Sequence, residues 1–115
     1  MKDIKLKRIY DEPSDDDGYR ILVDRLWPRG ISKKDANLDE WKKEVAPSSE
    51  LRIWFGHKAE RFEEFGRLYR EELMSKTEEL NRLNMLANRE VITLLYGAKD
   101  QAINHAVILK ECILK

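Results

Sequence analysis

The segment Asp24-Arg25-Leu26-Trp27-Pro28-Arg29-Gly30 carries the densest set of chemically capable side chains in the chain. A guanidinium presents a rigid fork of donors that matches phosphate or carboxylate. An indole ring offers a flat face for a planar group. Arg25 and Arg29 therefore read as anion holders and Trp27 as a stacking surface. A structural reading stands beside this one. Arg25 would pair with a buried carboxylate and Trp27 would cover the core, because structural ion-pair networks imitate functional ones.

Three further segments carry candidates. Ala46-Pro47-Ser48-Ser49-Glu50-Leu51-Arg52 has the pattern of a helix start, with Ser48 as N-cap and Glu50 in the first turn. Unpaired N–H groups at such a start attract anions, so Ser48 either caps the helix or touches a ligand. Arg52 lies one turn in and would face the same ligand. In Trp54-Phe55-Gly56-His57 the histidine follows a helix end. It is either a general base or a positive group closing that end. Tyr96-Gly97-Ala98-Lys99-Asp100, followed by Asn104 and His105, marks a second strand end running into a helix. A cation such as Lys99 is unfavourable at a helix start unless an anion is nearby, although a lysine can also reach into water. The candidate set is thus His57 and His105 for acid–base work. Arg25, Trp27, Arg29, Ser48, Arg52, Tyr96, Lys99 and Asn104 are the candidates for holding a ligand.

Other chemistries find no pattern. Cys112 precedes only Ile113, Leu114 and Lys115, so no phosphate loop follows it, and it reads as a buried helix residue. Neither a Walker loop nor a GxGxxG fingerprint occurs. Two histidines and one cysteine lack metal-ligand spacing. A Ser/His/Asp set can be written from Ser48 or Ser49, but no nucleophile elbow accompanies it. The residues identify no cofactor.

The elements that would position these groups follow from hydrophobic periodicity. Residues 3–10 alternate, with Ile4 and Leu6 opposite Lys5 and Lys7, as in a strand with one wet face. Residues 11–18 form a loop whose three aspartates read as solvated. Residues 19–25 form a strand apolar on both faces, stopped by Pro28 and Gly30. Ser32 and Asp35 suggest one helical turn. Leu38 to Val45 is a short strand or a helical bend. A helix starts at Pro47-Ser48 and ends near Gly56. Another spans 59–75, with Phe62, Phe65, Tyr69 and Leu73 on one stripe and Glu63–Arg67 and Arg67–Glu71 as surface pairs. A further helix covers 77–88 with Leu80, Leu83 and Ala87 inward and Asn88 as its stop. Val91 to Tyr96 reads as the central strand. The last helix covers 101–114, with Asp100 as N-cap and Ile103, Val107 and Leu114 inward.

A chain of 115 residues suits one domain over 1–115. A strand–loop–helix order points to a compact α/β fold, a small and mostly parallel sheet flanked by helices. With 22 basic and 22 acidic residues the net charge is zero, which argues against a general nucleic-acid binder. The single cysteine excludes a disulfide framework and suits a reducing, cytoplasmic setting. No apolar run approaches the ~18 residues of a membrane span, and MKDIKLKRIY lacks the pattern of a leader.

ILVDRLWPRG at 21–30, APSSELRIWFGH at 46–57, the F–x2–F–x3–Y–x3–L run at 62–73, LLYGAKD at 94–100 and NHAVILKE at 104–111 together resemble the YeaO-like family. This is a family of small bacterial proteins carrying a domain of unknown function. The resemblance covers nearly the whole chain, with its segments in order. Its motif positions match at Asp24, Arg25, Trp27, Pro28, Arg29, Gly30, Trp41, Pro47, Ser48, Leu51, Arg52, His57, Tyr69, Tyr96, Lys99, Asp100, Asn104 and His105. It implies a compact cytoplasmic α/β domain and supplies neither substrate nor cofactor. Arg, Trp, His and Lys at such positions exceed what packing requires. The expectation is therefore a pocket for an anionic small molecule or nucleotide, with or without catalysis. A nucleic-acid-associated module and a protein-interaction subunit are the alternatives. The oligomeric state is not legible.

Overall fold

A computed structural model describes residues 4–115. Asp3, the first residue of the expected N-terminal strand, lies outside them. The described strands are β1 (Ile4–Arg8), β2 (Tyr19–Leu22), β3 (Glu40–Trp41) and β4 (Ile92–Tyr96). They form one sheet in the order β1-β4-β2-β3, and every pairing is parallel. The helices are α1 (Lys33–Ala36), α2 (Ser49–Phe55), α3 (Phe62–Leu73), α4 (Thr77–Arg89) and α5 (His105–Leu114). The fold is α/β, as its strand and helix order requires.

β4 is central because both of its faces are apolar: all five of its residues are buried. Ile92, Leu94 and Tyr96 join Ile4, Ile21 and Val23 on one face, and the main core forms there with side chains of α2 to α5. Phe65, Tyr69 and Leu73 supply the buried stripe of α3, with Phe62 half-buried beside them. A smaller cluster on the opposite face joins Ile9, Leu22 and Leu95 to Ala36 of α1, with Trp27 and Trp41 packed against it. The two indoles meet edge to face at 5.3 Å.

Local chemistry sets the element ends. Ser32 accepts the Asp35 N–H and starts α1. Ser48 accepts the Leu51 N–H, and Gly56 ends α2 in the left-handed conformation at φ 53°. The stretch from Leu38 to Val45 contains both of its expected alternatives, β3 and then a helical turn at Lys43–Val45.

Four local expectations are corrected. Asp17 is buried rather than solvated: it pairs with Arg20 and Lys7 on the sheet face opposite the main core. Arg67 pairs with Glu64 and Glu71, not Glu63. α4 runs one residue past Asn88 and gives way to extended backbone at Glu90. α5 starts at His105 under an Asn104 cap, while Asp100 instead accepts the N–H groups of Ala102 and Ile103. Its inward residues are Ala106, Ile108, Leu109 and Ile113, and Leu114 is exposed. The helix is apolar nearly all round, so periodicity alone does not choose its face. Among the described residues no helix is long and apolar enough to cross a membrane.

Candidate functional site

β2 and β4 lie side by side, and the chain leaves them toward opposite faces of the sheet. After β2 it turns to α1 and the smaller cluster; after β4 it turns to α5 and the main core. Ligands of open α/β sheets bind at such points, beyond the carboxyl ends of the strands. A cleft of about 400 Å³ lies there. The residues after β2 form one side, Gly97, Ala98, Asn104 and His105 after β4 form another, and α2 with His57 closes the third.

The last ladder bond of β2 runs from Val23 N–H to Leu95 O at 3.0 Å. The chain then diverges, and Asp24 and Arg25 turn into the cleft. Asp24 Oδ2 accepts the Gly97 N–H at 2.9 Å, and its backbone carbonyl accepts the Trp41 indole N–H at 2.8 Å. Arg25 donates from Nε to Pro47 O at 2.9 Å and from Nη2 to Ala46 O at 3.2 Å. It thereby ties the strand end to the start of α2, and two arms of its fork are occupied. Trp27 lines the cleft, but its N–H is spent on Ile31 O at 2.7 Å. Arg29 is exposed on the rim, and its backbone carbonyl accepts the Tyr10 hydroxyl at 3.0 Å. The Arg8 guanidinium lies over the Tyr10 ring, 5.1 Å from its centroid, and donates to Ala98 O. The turn after β1 thus supplies an aromatic wall through Tyr10.

Arg52 reaches the rim from α2. His57 follows Gly56 and itself has φ 58°. A left-handed non-glycine residue carries a cost of about 1–2 kcal/mol. Here it turns the imidazole toward the cleft, with its ring 6.1 Å from Phe55. Phe55 stacks on Phe65 at 4.2 Å, and both back the wall. At the floor, Asn104 is buried: Oδ1 caps α5 through the Val107 N–H and Nδ2 donates to Asp100 O. His105 places Nε2 at 3.0 Å from Val23 O and 3.2 Å from Asp24 Oδ1.

Seven of the candidates therefore share one cleft: Arg25, Trp27, Arg29, Arg52, His57, Asn104 and His105. Three do not line it. Ser48 is the N-cap of α2, and its hydroxyl donates to Glu72 at 2.6 Å. Tyr96 is buried; burial pushes its phenol up, and its hydroxyl meets the Asn104 side chain. Lys99 is exposed outside the cleft. The candidate set omits Tyr10 and Asp24. The signal for Asp24 was its place at the strand end beside the arginines. Tyr10 closes the alternating segment next to the central strand.

The free groups of the cleft decide what it can hold. Among the described residues, the Arg29 and Arg52 guanidiniums have no hydrogen-bonding or ion-pair partner, and His57 has only its ring contact. The Asp24 carboxylate faces inward protein groups. The open polar surface is therefore mostly donors, flanked by aromatic walls. Among the described residues, no cluster of three or more His, Cys, Asp or Glu is placed to hold a metal ion.

Comparison with known proteins agrees with the sequence motifs. Residues 3–115 match the family described as the inactive DUF488-N3 subclade. The chain is 48% identical over 108 residues to the Escherichia coli (strain K12) protein named Uncharacterized protein YeaO, covering 94% of each chain. It is 42% identical over 110 residues to Uncharacterized protein Rv3073c of Mycobacterium tuberculosis (strain H37Rv), covering 96% of this chain and 92% of that one. Uncharacterized protein Mb3100c of Mycobacterium bovis matches to the same extent. No solved structure matches. The chain belongs to the YeaO-like family, within the inactive DUF488-N3 subclade, a family of unknown function.

Proposed function

We propose that the cleft binds an anionic small molecule, nucleotide- or phosphate-like, held at its rim by Arg29 and Arg52 and flanked by Tyr10, Trp27 and Phe55. One observation carries this reading. Two unpartnered guanidiniums from separate elements converge on one cleft at the strand ends. Unpartnered guanidiniums are ready to form charge-assisted hydrogen bonds. His57 adds a third group able to donate. Arg25 acts mainly as a structural tie, because its Nε and Nη2 already hold backbone carbonyls. The description of the subclade as inactive favours binding over catalysis, and acid–base roles for His57 and His105 are not needed for it.

A thermal-shift screen tests the proposal. Its panel contains phosphate, sulfate, nucleoside mono-, di- and triphosphates, and short oligonucleotides. A ligand that binds the folded state alone raises the melting temperature, by about 2.7 kcal/mol of stabilisation at one hundred times its Kd. The expected result is a rise with a phosphate-bearing small molecule that Arg29→Ala/Arg52→Ala removes. Stabilisation by oligonucleotides alone, falling steeply with salt, would replace this reading with a nucleic-acid-associated module. No shift across the panel would favour a protein-interaction role.

A further inference from the structure

The floor of the cleft contains a pairing that the anion reading does not use. Asp24 Oδ2 is fixed by the Gly97 N–H at 2.9 Å. A Cβ at position 97 would lie 3.0 Å from that oxygen, so a side chain there would push the carboxylate by a few tenths of an ångström. The other oxygen, Oδ1, is covered and receives no well-aligned hydrogen bond. Its ionisable neighbour is His105 Nε2 at 3.2 Å. That same nitrogen stands 3.0 Å from Val23 O.

A carbonyl and a carboxylate are acceptors only. A lone pair on Nε2 would therefore face two oxygens and leave both unsatisfied. An N–H on Nε2 instead bonds Val23 O and places its positive end beside Oδ1. We propose that Asp24 is a positioning residue: with the Val23 carbonyl it holds His105 as the Nε2–H tautomer and makes Nδ1 the nitrogen that exchanges protons. The partner of one imidazole nitrogen decides the chemistry of the other. Nδ1 accepts from a neutral donor when bare and donates to an anion once protonated. Tyr69 meets the ring edge to face at 6.1 Å and limits its rotation. The use of this switchable nitrogen for a ligand rests on the anion-binding reading; the tautomer does not.

Long-range nitrogen–proton correlation spectra of the ligand-free protein test the proposal, recorded at mildly alkaline pH where tautomers are read directly. The native protein is expected to show His105 in the Nε2–H form. Asp24→Asn keeps an acceptor for Gly97 N–H but turns an NH2 toward Nε2, so the Nε2–H signature should be lost or become a mixture. Gly97→Ala nudges the carboxylate without removing its charge and should move the His105 nitrogen signals part of the way toward a mixture of forms, which keeps the test open if Asp24→Asn does not fold. A native spectrum dominated by Nδ1–H, or averaged between forms, would overturn the proposal. So would an Nε2–H signature unchanged in the folded variants. A blank ligand screen would remove the anion reading and leave this measurement standing, so the two fail separately.

Discussion

Asp17→Ala should lower the melting temperature by about 10–20 °C. The Asp17 and Arg20 side chains are 6% and 3% exposed, with Nη1 to Oδ2 at 2.5 Å. Arg20 spends its other donors on Asn37 O and Ala36 O, at 2.9 and 2.8 Å. Lys7 Nζ lies 3.1 Å from the same carboxylate. Alanine would leave a buried guanidinium without its anion, and Ser14 N–H would lose its 3.0 Å bond to Asp17. Removing one partner of a buried pair costs about 3–5 kcal/mol. That is a large part of the roughly 5–15 kcal/mol available to a domain. For this chain length each kcal/mol moves the midpoint by about 3–5 °C. Reversible melts followed by far-ultraviolet circular dichroism measure the effect. An Asp17→Leu/Arg20→Met double variant should recover the part due to the unpaired guanidinium, because apolar groups can replace a buried pair. It should not recover the part due to the Ala36 and Asn37 carbonyls and the Ser14 N–H, which lose their partners. A single variant melting within about 3 °C of the parent, or a double variant no better than the single, would refute this account.

Other outcomes follow from the same contacts. Burial pushes the Asp17 carboxyl up, but the Ser14 N–H, Lys7 and Arg20 outweigh it and hold the group below the usual carboxylate range. Its stabilisation is therefore complete above the unfolded value of about 4 and is lost as pH falls through the folded one. Asp17→Asn should flatten the acid limb of a stability–pH curve. Some slope should remain from Glu40, where bonds from Arg82 and Tyr19 outweigh burial. An unchanged acid limb in chemical denaturation would contradict this. Gly18 and Gly30 both have positive φ, but a Cβ at Gly18 would lie 2.2 Å from Val91 O and one at Gly30 would meet nothing within 4 Å. Gly30→Ala should cost only the left-handed penalty of about 1–2 kcal/mol. Gly18→Ala should cost clearly more, and equal urea midpoints would refute the contrast. Ser48→Ala should lose about 1 kcal/mol or more of stability through its cap and its Glu72 bond, while anion affinity stays unchanged. A large affinity loss at unchanged stability would return Ser48 to the binding set.

Much of this fold is legible where a residue announces itself through its own side chain. The central strand is apolar on both faces, and the ends of α2 carry a hydroxyl cap and a left-handed glycine. The inward face of α5 is not legible, because Ala106, Val107, Ile108 and Leu109 present apolar groups on every side. Nor does the run of three aspartates reveal which one is buried. That choice depends on Lys7 and Arg20, brought to it by the alternation of two separate strands. The site follows the same division. Strand ends point to its place, and seven of the ten candidate residues line it. Which arginine stays free depends on the carbonyls of Ala46 and Pro47, which capture Arg25 and leave Arg52 open. Backbone carbonyls leave no trace in residue type. The pairing of Asp24 with Gly97 and His105 is hidden for the same reason, since it joins positions 73 residues apart or more.

The central claim is that Arg29 and Arg52 make this cleft an anion site. Amide nitrogen–proton spectra of the labelled protein, titrated with inorganic phosphate and with nucleoside monophosphates, test it most directly. The account predicts saturable shifts concentrated at Arg29, Arg52, His57, Gly97 and Asn104. Each arginine removed should weaken binding roughly ten- to a hundredfold, the equivalent of about 1.5–3 kcal/mol per charge-assisted bond. The Arg29→Ala/Arg52→Ala protein should keep its fold and show no saturable shift. Saturable shifts elsewhere on the surface, or binding that survives the loss of both arginines, would contradict the account.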